Sequence, residues 1–216
     1  MNPEIVTVLL VDDHAVVREG YRRLLERSPS IRVVGESADA QSAYLAFVHH
    51  QPHVTVMDIS LPGASGIDAL RRIRMRDPEA CVLMFSMYED PVFAARALQA
   101  GAKGYVTKAA APDVLVEAVL AVARGKPYIA SSVAHELALR KVEESGSTGL
   151  SVREFEVLRM LVGGSSVAEI ARNLGVSSKT VANHQSILRH KLGAGSAIQL
   201  LQAAARLGII SQSPAP

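Results

Sequence analysis

Two hydrophobic rhythms divide this chain. Over the first 124 residues, short apolar runs alternate with apolar positions spaced three and four apart. Ile5-Val6-Thr7-Val8-Leu9-Leu10-Val11 stops on Asp12-Asp13, and His53-Val54-Thr55-Val56-Met57 stops on Asp58. Residues 31–36, Cys81-Val82-Leu83-Met84-Phe85-Ser86 and Gly104-Tyr105-Val106-Thr107-Lys108 complete the set. Runs of this length, apolar throughout, predict strands buried on both faces of a parallel sheet. Between them the spacing is helical: Val17, Tyr21, Leu24 and Leu25; Ala43, Ala46 and Phe47; Ile67, Leu70 and Ile73, with Arg71, Arg72, Arg74 and Arg76 outward. Asp90-Pro91 opens a fourth helix, a capping side chain followed by proline, and Pro112 a fifth running to residue 124. Five strands alternating with five helices predict an α/β domain, a doubly wound five-stranded parallel sheet with right-handed crossovers.

Beyond Gly125-Lys126-Pro127 the strand rhythm ends. Residues 131–142 have one apolar side (Val133, Leu137, Ala138), and Glu143-Glu144-Ser145-Gly146-Ser147-Thr148-Gly149 has the composition of a flexible tether. From residue 150 onward every pattern is helical. Ser151-Val152-Arg153-Glu154 and Ser166-Val167-Ala168-Glu169 are capping boxes, each ahead of an apolar stripe. Gly175-Val176-Ser177 turns the chain into a helix over 178–192, and 196–207 makes a fourth; two short helices joined by a tight glycine turn are the mark of a helix-turn-helix. The expected organisation is a first domain over 1–125, a linker with a helix over 126–147, and a small all-α domain over 148–212.

Charge sharpens this division. The net charge of +2 splits into −2 over residues 1–124 (13 Lys/Arg against 15 Asp/Glu), zero over 125–149, and +4 over 150–216 (7 against 3). A basic rear module suits a polyanionic partner. The lone Cys81 excludes an intrachain disulfide, fits a reducing compartment, and reads as a small buried hydrophobe. No apolar run approaches the roughly 20 residues of a membrane span, and no basic leader precedes the first run. A cytoplasmic location without membrane contact is expected.

The strand ends carry the chemistry. The first delivers Asp12 and Asp13, the third Asp58, the fourth Ser86 and the fifth Lys108, all to the carboxyl edge where open α/β sheets bind ligands. Three close carboxylates repel unless a cation joins them, and oxygen-only ligands suit Mg²⁺. With a fixed ammonium and a hydroxyl beside it, such a pocket can stabilise a phosphoryl group arriving on Asp58. An aspartyl phosphatase would place its nucleophile in an Asp-x-Asp pair after the first strand; here the acids are adjacent and His14 stands at the second position.

On these positions, and on Leu61-Pro62-Gly63 followed by Gly66, residues 1–124 resemble the receiver domain of two-component response regulators. The resemblance implies a flavodoxin-like fold with Asp58 as phospho-acceptor, and Mg²⁺ held by Asp12, Asp13, Asp58 and the backbone carbonyl of Ser60, Asp13 more directly than Asp12. It implies Ser86 and Tyr105 as a switch pair, the tyrosine swinging inward, with Lys108 beside the phosphoryl group. Ala109 stands where many receivers have proline.

Residues 150–210 resemble the LuxR-type helix-turn-helix of the NarL/FixJ class. The resemblance rests on Leu150-Ser151, Arg153-Glu154, Glu156-Val157-Leu158, Glu169-Ile170-Ala171, Leu174, Ser177, Thr180-Val181, His184 and Lys191-Leu192. At about 100° per residue, Val181, Leu188 and Leu192 share one face of the last long helix, with His184 flanking as a core histidine. Lys179, Asn183, Ser186 and His190 fall opposite and are the expected DNA face; Lys179, Arg189 and Lys191 are expected to reach phosphates. Ala168, Ala182, Ile187 and Ala197 replace residues that are commonly Lys, Lys, Asn and Arg, which implies weaker DNA binding or more dependence on dimerisation.

Together the two resemblances imply a non-enzymatic, phosphorylation-switched transcription regulator. Its expected partners are a sensor histidine kinase, double-stranded promoter DNA and a second copy of itself when phosphorylated. The alternatives are a phosphate-independent regulator, or a protein-interaction module on a receiver fold.

Overall fold

In a computed structural model the described residues are 5–140 and 149–206. The chain divides into two compact units, residues 1–144 and 145–216. The expectations for 141–148, for Leu207 and for the tail lie outside the described residues.

The first unit is a parallel sheet in the order β2-β1-β3-β4-β5-β6. Its strands are β1 (Val6–Val11), β2 (Ile31–Ser37), β3 (Val54–Met57), β4 (Val82–Ser86), β5 (Gly104–Thr107) and β6 (Tyr128–Ile129). All five strand pairings are parallel. The order of β1 to β5 is the flavodoxin-like one, with its topological switch between β1 and β3. Helices α1 (Ala15–Leu25), α2 (Ala40–His50), α3 (Gly66–Arg76), α4 (Pro91–Gln99) and α5 (Pro112–Ala123) form the crossovers. Alternate strand residues Val8, Leu10, Val54, Val56, Leu83, Phe85 and Val106 pack with Leu25, Leu115, Ala118, Val119 and Val122 of α1 and α5 into one core cluster. The opposite strand faces, including Leu9, Met57, Met84 and Tyr105, are equally buried. Two buried faces explain why these strands are apolar throughout rather than alternating.

The sheet has six strands, one more than the periodicity predicts. β6 is two residues long and pairs Tyr128 and Ile129 with Gly104 and Tyr105. Gly104 makes room for it: a Cβ there would lie 2.6 Å from the Tyr128 carbonyl oxygen and 2.8 Å from Leu83 Cδ1. Residues 126–130 are thus an edge of the domain and not part of a linker. Helix α6 (Ser131–Arg140) follows and packs on α4, with Val133 buried. Cys81 also departs from expectation. It sits just before β4, half-buried, with burial pushing its thiol pKa up.

The second unit is all helix: α7 (Val152–Val162), α8 (Val167–Asn173), α9 (Ser178–Leu192) and α10 (Ala197–Arg206). Both capping boxes form as the sequence predicts, Ser151 with Glu154 and Ser166 with Glu169. The core is Phe155, Leu158, Ile170, Val181, Leu188, Leu200 and Ala204. No helix among the described residues is long and apolar enough to cross a membrane.

Candidate functional site

The carboxyl edge of the sheet gathers the residues that the strand ends supply. Lys108 extends from the end of β5 and its Nζ donates to Asp12 Oδ2 and Asp58 Oδ2, each at 2.5 Å. All three side chains are 5–7% exposed. Backbone donors finish the arrangement: Ser60 N donates to Asp58 Oδ1 at 3.2 Å, and His14 N to Asp12 Oδ1 at 2.8 Å. Arg18 Nη1 holds the Asp12 carbonyl oxygen at 2.5 Å, tying α1 to the turn after β1.

Burial pushes the Asp58 carboxyl up from the ordinary carboxylate range, and the Lys108 ammonium only partly opposes this. For Lys108, burial works against the charge, but Asp58 and Asp12 outweigh it and hold the ammonium's pKa up. Three carboxylates against one ammonium leave two negative charges at this edge, a deficit that a divalent cation balances. Asp12 and Asp13, with His14 beside them, bring potential ligand atoms within 4.8 Å of one another. Asp13 is the exposed member, and His14 Nδ1 lies 2.7 Å from its Oδ1. The donor set is hard oxygen from carboxylates, which fits Mg²⁺; Asp12, Asp13, Asp58 and the Ser60 carbonyl are the residues that would hold it.

The loop after β3 depends on Gly66. Its N–H donates to the Ile59 carbonyl at 2.7 Å, and a Cβ would strike the Asp58 carbonyl, with Asp58 C at 2.8 Å and Ile59 Cα at 3.1 Å. Ser65 caps α3 through Ile67 N. Ser86, fully buried at the end of β4, accepts from Tyr88 N at 3.3 Å. Tyr105 is also fully buried, and its hydroxyl donates to the Tyr88 carbonyl at 2.7 Å. The tyrosine therefore already points inward, and the expected swing from outside has no counterpart in this conformation. Burial raises its pKa well above the usual tyrosine value. No cis peptide bond occurs among the described residues, including after Lys108.

Tyr88 is the pocket residue that sequence reasoning missed. Its hydroxyl lies 3.0 Å from Ser60 Oγ, its ring stacks on Phe93 of α4 at 4.1 Å, and its carbonyl receives Tyr105. One side chain thus joins the loop after β3 to the loop after β4. An aromatic two residues beyond the strand end was the available signal.

Residues 8–120 match the response regulator receiver domain family, and residues 148–204 match the bacterial regulatory proteins of the luxR family. The chain belongs to the response regulators. It is 36% identical over 209 residues to response regulator UvrY of Escherichia coli strain K12, covering 95% of this chain and 96% of that protein. It is 37% identical over 207 residues to transcriptional regulatory protein MctR of Rhizobium johnstonii, covering 96% of each. Among solved structures, a LuxR-family two-component response regulator from Aurantimonas is 46% identical, with TM-score 0.63, over 65% of this chain and all of that one. RcsB from Salmonella enterica serovar Typhimurium, bound to a promoter in the presence of a phosphomimetic, is 31% identical with TM-score 0.60, over 94% and 98% of the two chains. The class is that of NarL/FixJ-type regulators.

In this response regulator's second unit, α9 exposes Lys179, Ala182, Asn183, Ser186, Ile187, Arg189 and His190 along its outer side, while Val181 and Leu188 are fully buried. The helix carries no carboxylate. His184 sits inward and half-buried, and burial, then the Arg153 charge, lowers its pKa; its Nδ1 has no hydrogen-bond partner. Lys191 is held away from the outer face. Its Nζ donates to Glu154 Oε2 at 2.8 Å and to the Gly149 carbonyl at 3.0 Å. Glu154 in turn accepts from Ser151 N at 2.6 Å, so Lys191 braces the start of α7. Burial works against the Glu154 carboxylate, yet the Lys191 bond prevails and lowers its pKa.

Proposed function

We propose that this chain is a transcription regulator switched by phosphorylation of Asp58. The carrying observation is the buried ammonium of Lys108 shared between Asp12 and Asp58 at 2.5 Å each. That arrangement supplies a carboxylate oxygen as nucleophile and, beside it, a charge that can pass to phosphoryl oxygens. A carboxylate oxygen of Asp58 attacks the phosphorus of a phosphohistidine on a sensor kinase. The P–N bond breaks, and the histidine leaves with its electron pair. Asp12, Asp13, Asp58 and the Ser60 carbonyl would hold Mg²⁺, which would supply charge neutralisation. Lys108 keeps its proton through the transfer and shifts from the Asp58 carboxylate to the new phosphoryl oxygens. Ser86 Oγ, released from Tyr88 N, donates to them as well, and Tyr105 fills the space behind it.

The phosphoryl group adds about −1.5 to −2 charges. The surface formed by α4 and β5 responds through Ser86, Tyr88 and Tyr105, and promotes pairing of two copies. Two copies present two α9 helices to paired half-sites on promoter DNA. Lys179 and Arg189 contact phosphates, and Asn183, Ser186 and His190 meet the groove. The neighbouring RcsB structures, solved as DNA complexes, support this orientation of the reading. The chain works in the cytoplasm without membrane contact, and it is not an enzyme that turns over substrate.

Acetyl phosphate with Mg²⁺ tests the scheme. Intact mass is expected to show one added phosphate, absent in Asp58→Ala, and size-exclusion chromatography a shift to dimer. Full DNA binding and regulation by Asp58→Ala would refute the phospho-switch in favour of a phosphate-independent regulator.

A further inference from the structure

The outer side of α9 is not uniformly polar. Ile187 is 42% exposed, the one large apolar side chain of this helix to be so among the described residues. It lies one turn after exposed Asn183, and exposed Ala182 adjoins Asn183. An isoleucine left in water forgoes the stabilisation of burial unless a partner covers it. The partner's chemistry can be read from what surrounds it. The outer side of α9 carries Lys179 and Arg189 and no acid, so the surface suits a polyanion. The covering group must therefore be an apolar patch on a polyanion. In duplex DNA that patch is the C5 methyl of thymine in the major groove. The first ten residues of α9, 178–187, contain no arginine; the one cation of this stretch that could reach guanine is Lys179, assigned above to a phosphate.

We infer that Asn183 and Ile187 read an A·T-containing step, a specificity that rests on the DNA-binding reading above. The Asn183 amide donates from Nδ2 to adenine N7 and accepts on Oδ1 from the adenine N6 amino group. Ile187, one turn along, packs its methyl groups on the C5 methyl of a neighbouring thymine. Ala182 adds a second, smaller apolar contact on the other shoulder. Recognition at the centre of each half-site then depends on methyl groups and one amide, with the cations confined to the phosphates.

The test uses the full chain phosphorylated with acetyl phosphate and Mg²⁺. Selection from a random duplex pool should enrich adjacent adenine and thymine in each half-site. Thymines at enriched positions are then replaced one at a time by uracil, which removes only the methyl. At one position the wild type should lose about fourfold in affinity, the worth of one buried methyl group. Ile187→Ala, at an exposed position the fold tolerates, should bind the thymine and uracil duplexes alike. Asn183→Ala should lose the adenine preference and keep the methyl discrimination. Equal wild-type affinity for thymine and uracil at every enriched position would overturn the inference. So would retained discrimination in Ile187→Ala, or enrichment of G·C at the centre of the half-site. Failure to bind any duplex, even at low salt, is a different result: it removes the DNA-binding reading itself, and the inference with it.

Discussion

Replacing Lys108 by methionine keeps most of the side-chain stem and removes the charge. Asp12 and Asp58, each bonded to its Nζ at 2.5 Å and 5–7% exposed, then share a buried site with no cation. Breaking a buried ion pair by deleting one partner costs about 3–5 kcal/mol, because the remaining charge stays uncompensated. With so little exposure, solvent screening removes little of this. The Asp58 carboxyl is already raised by burial with Lys108 present, and it rises further without it. A carboxyl raised in the folded state costs stability as pH climbs through its folded pKa; below the unfolded value, about 4, both states hold the proton. The deficit of Lys108→Met is thus expected to be full near neutral pH and to shrink toward pH 4. Mg²⁺ should restore more stability to the variant than it adds to the wild type. All five tyrosines, at 21, 44, 88, 105 and 128, lie in the first unit, and the chain has no tryptophan. Tyrosine fluorescence during urea unfolding therefore reports on that unit alone. A variant within about 0.5 kcal/mol of wild type in EDTA at neutral pH, as for a surface substitution, would refute the reasoning.

Gly66→Ala is expected to cost about 1–3 kcal/mol by overpacking and to slow labelling of Asp58 by acetyl phosphate, since the added Cβ pushes on the Asp58 backbone; tyrosine-monitored unfolding and intact mass against time check both. The lowered His184 pKa means the unfolded chain binds this proton more readily. The second unit should therefore lose stability as pH falls below about 6.5, and His184→Gln should flatten that slope in a urea titration followed by the Val181 and Leu188 methyl signals. Lys191→Met should destabilise the second unit by about 1 kcal/mol, a value discounted because the lysine is partly exposed. If its only effect is a shallower salt dependence of DNA binding, its brace on α7 is of no consequence.

The pocket was legible because it is built from strand ends. An apolar run that stops on Asp12, Asp58, Ser86 or Lys108 announces both the strand and the edge to which the side chain is delivered. Two-residue β6 has no periodicity to read, and its cue, the bare Cα of Gly104 opposite the Tyr128 carbonyl, exists only once the sheet is assembled. Tyr88 was hidden for a related reason: its partners Ser60 and Tyr105 are 28 and 17 residues away. Helical periodicity placed Val181 and Leu188 inward and Lys179 and Asn183 outward on α9. It could not show that Lys191 reaches back across 37 residues to Glu154, because an ion pair between helices leaves no mark on the spacing of either.

The seating of α6 on α4 bears on how the pocket communicates. Phe93 of α4 stacks on Tyr88, which touches Ser60 and receives Tyr105, and the same short helix packs against α6. α6, the last described helix of the first unit, is therefore linked to the pocket wall through one helix of nine residues. A change at Asp58 need not cross the sheet to reach α6. A displacement of α4 is therefore expected to reach α6 through their shared packing.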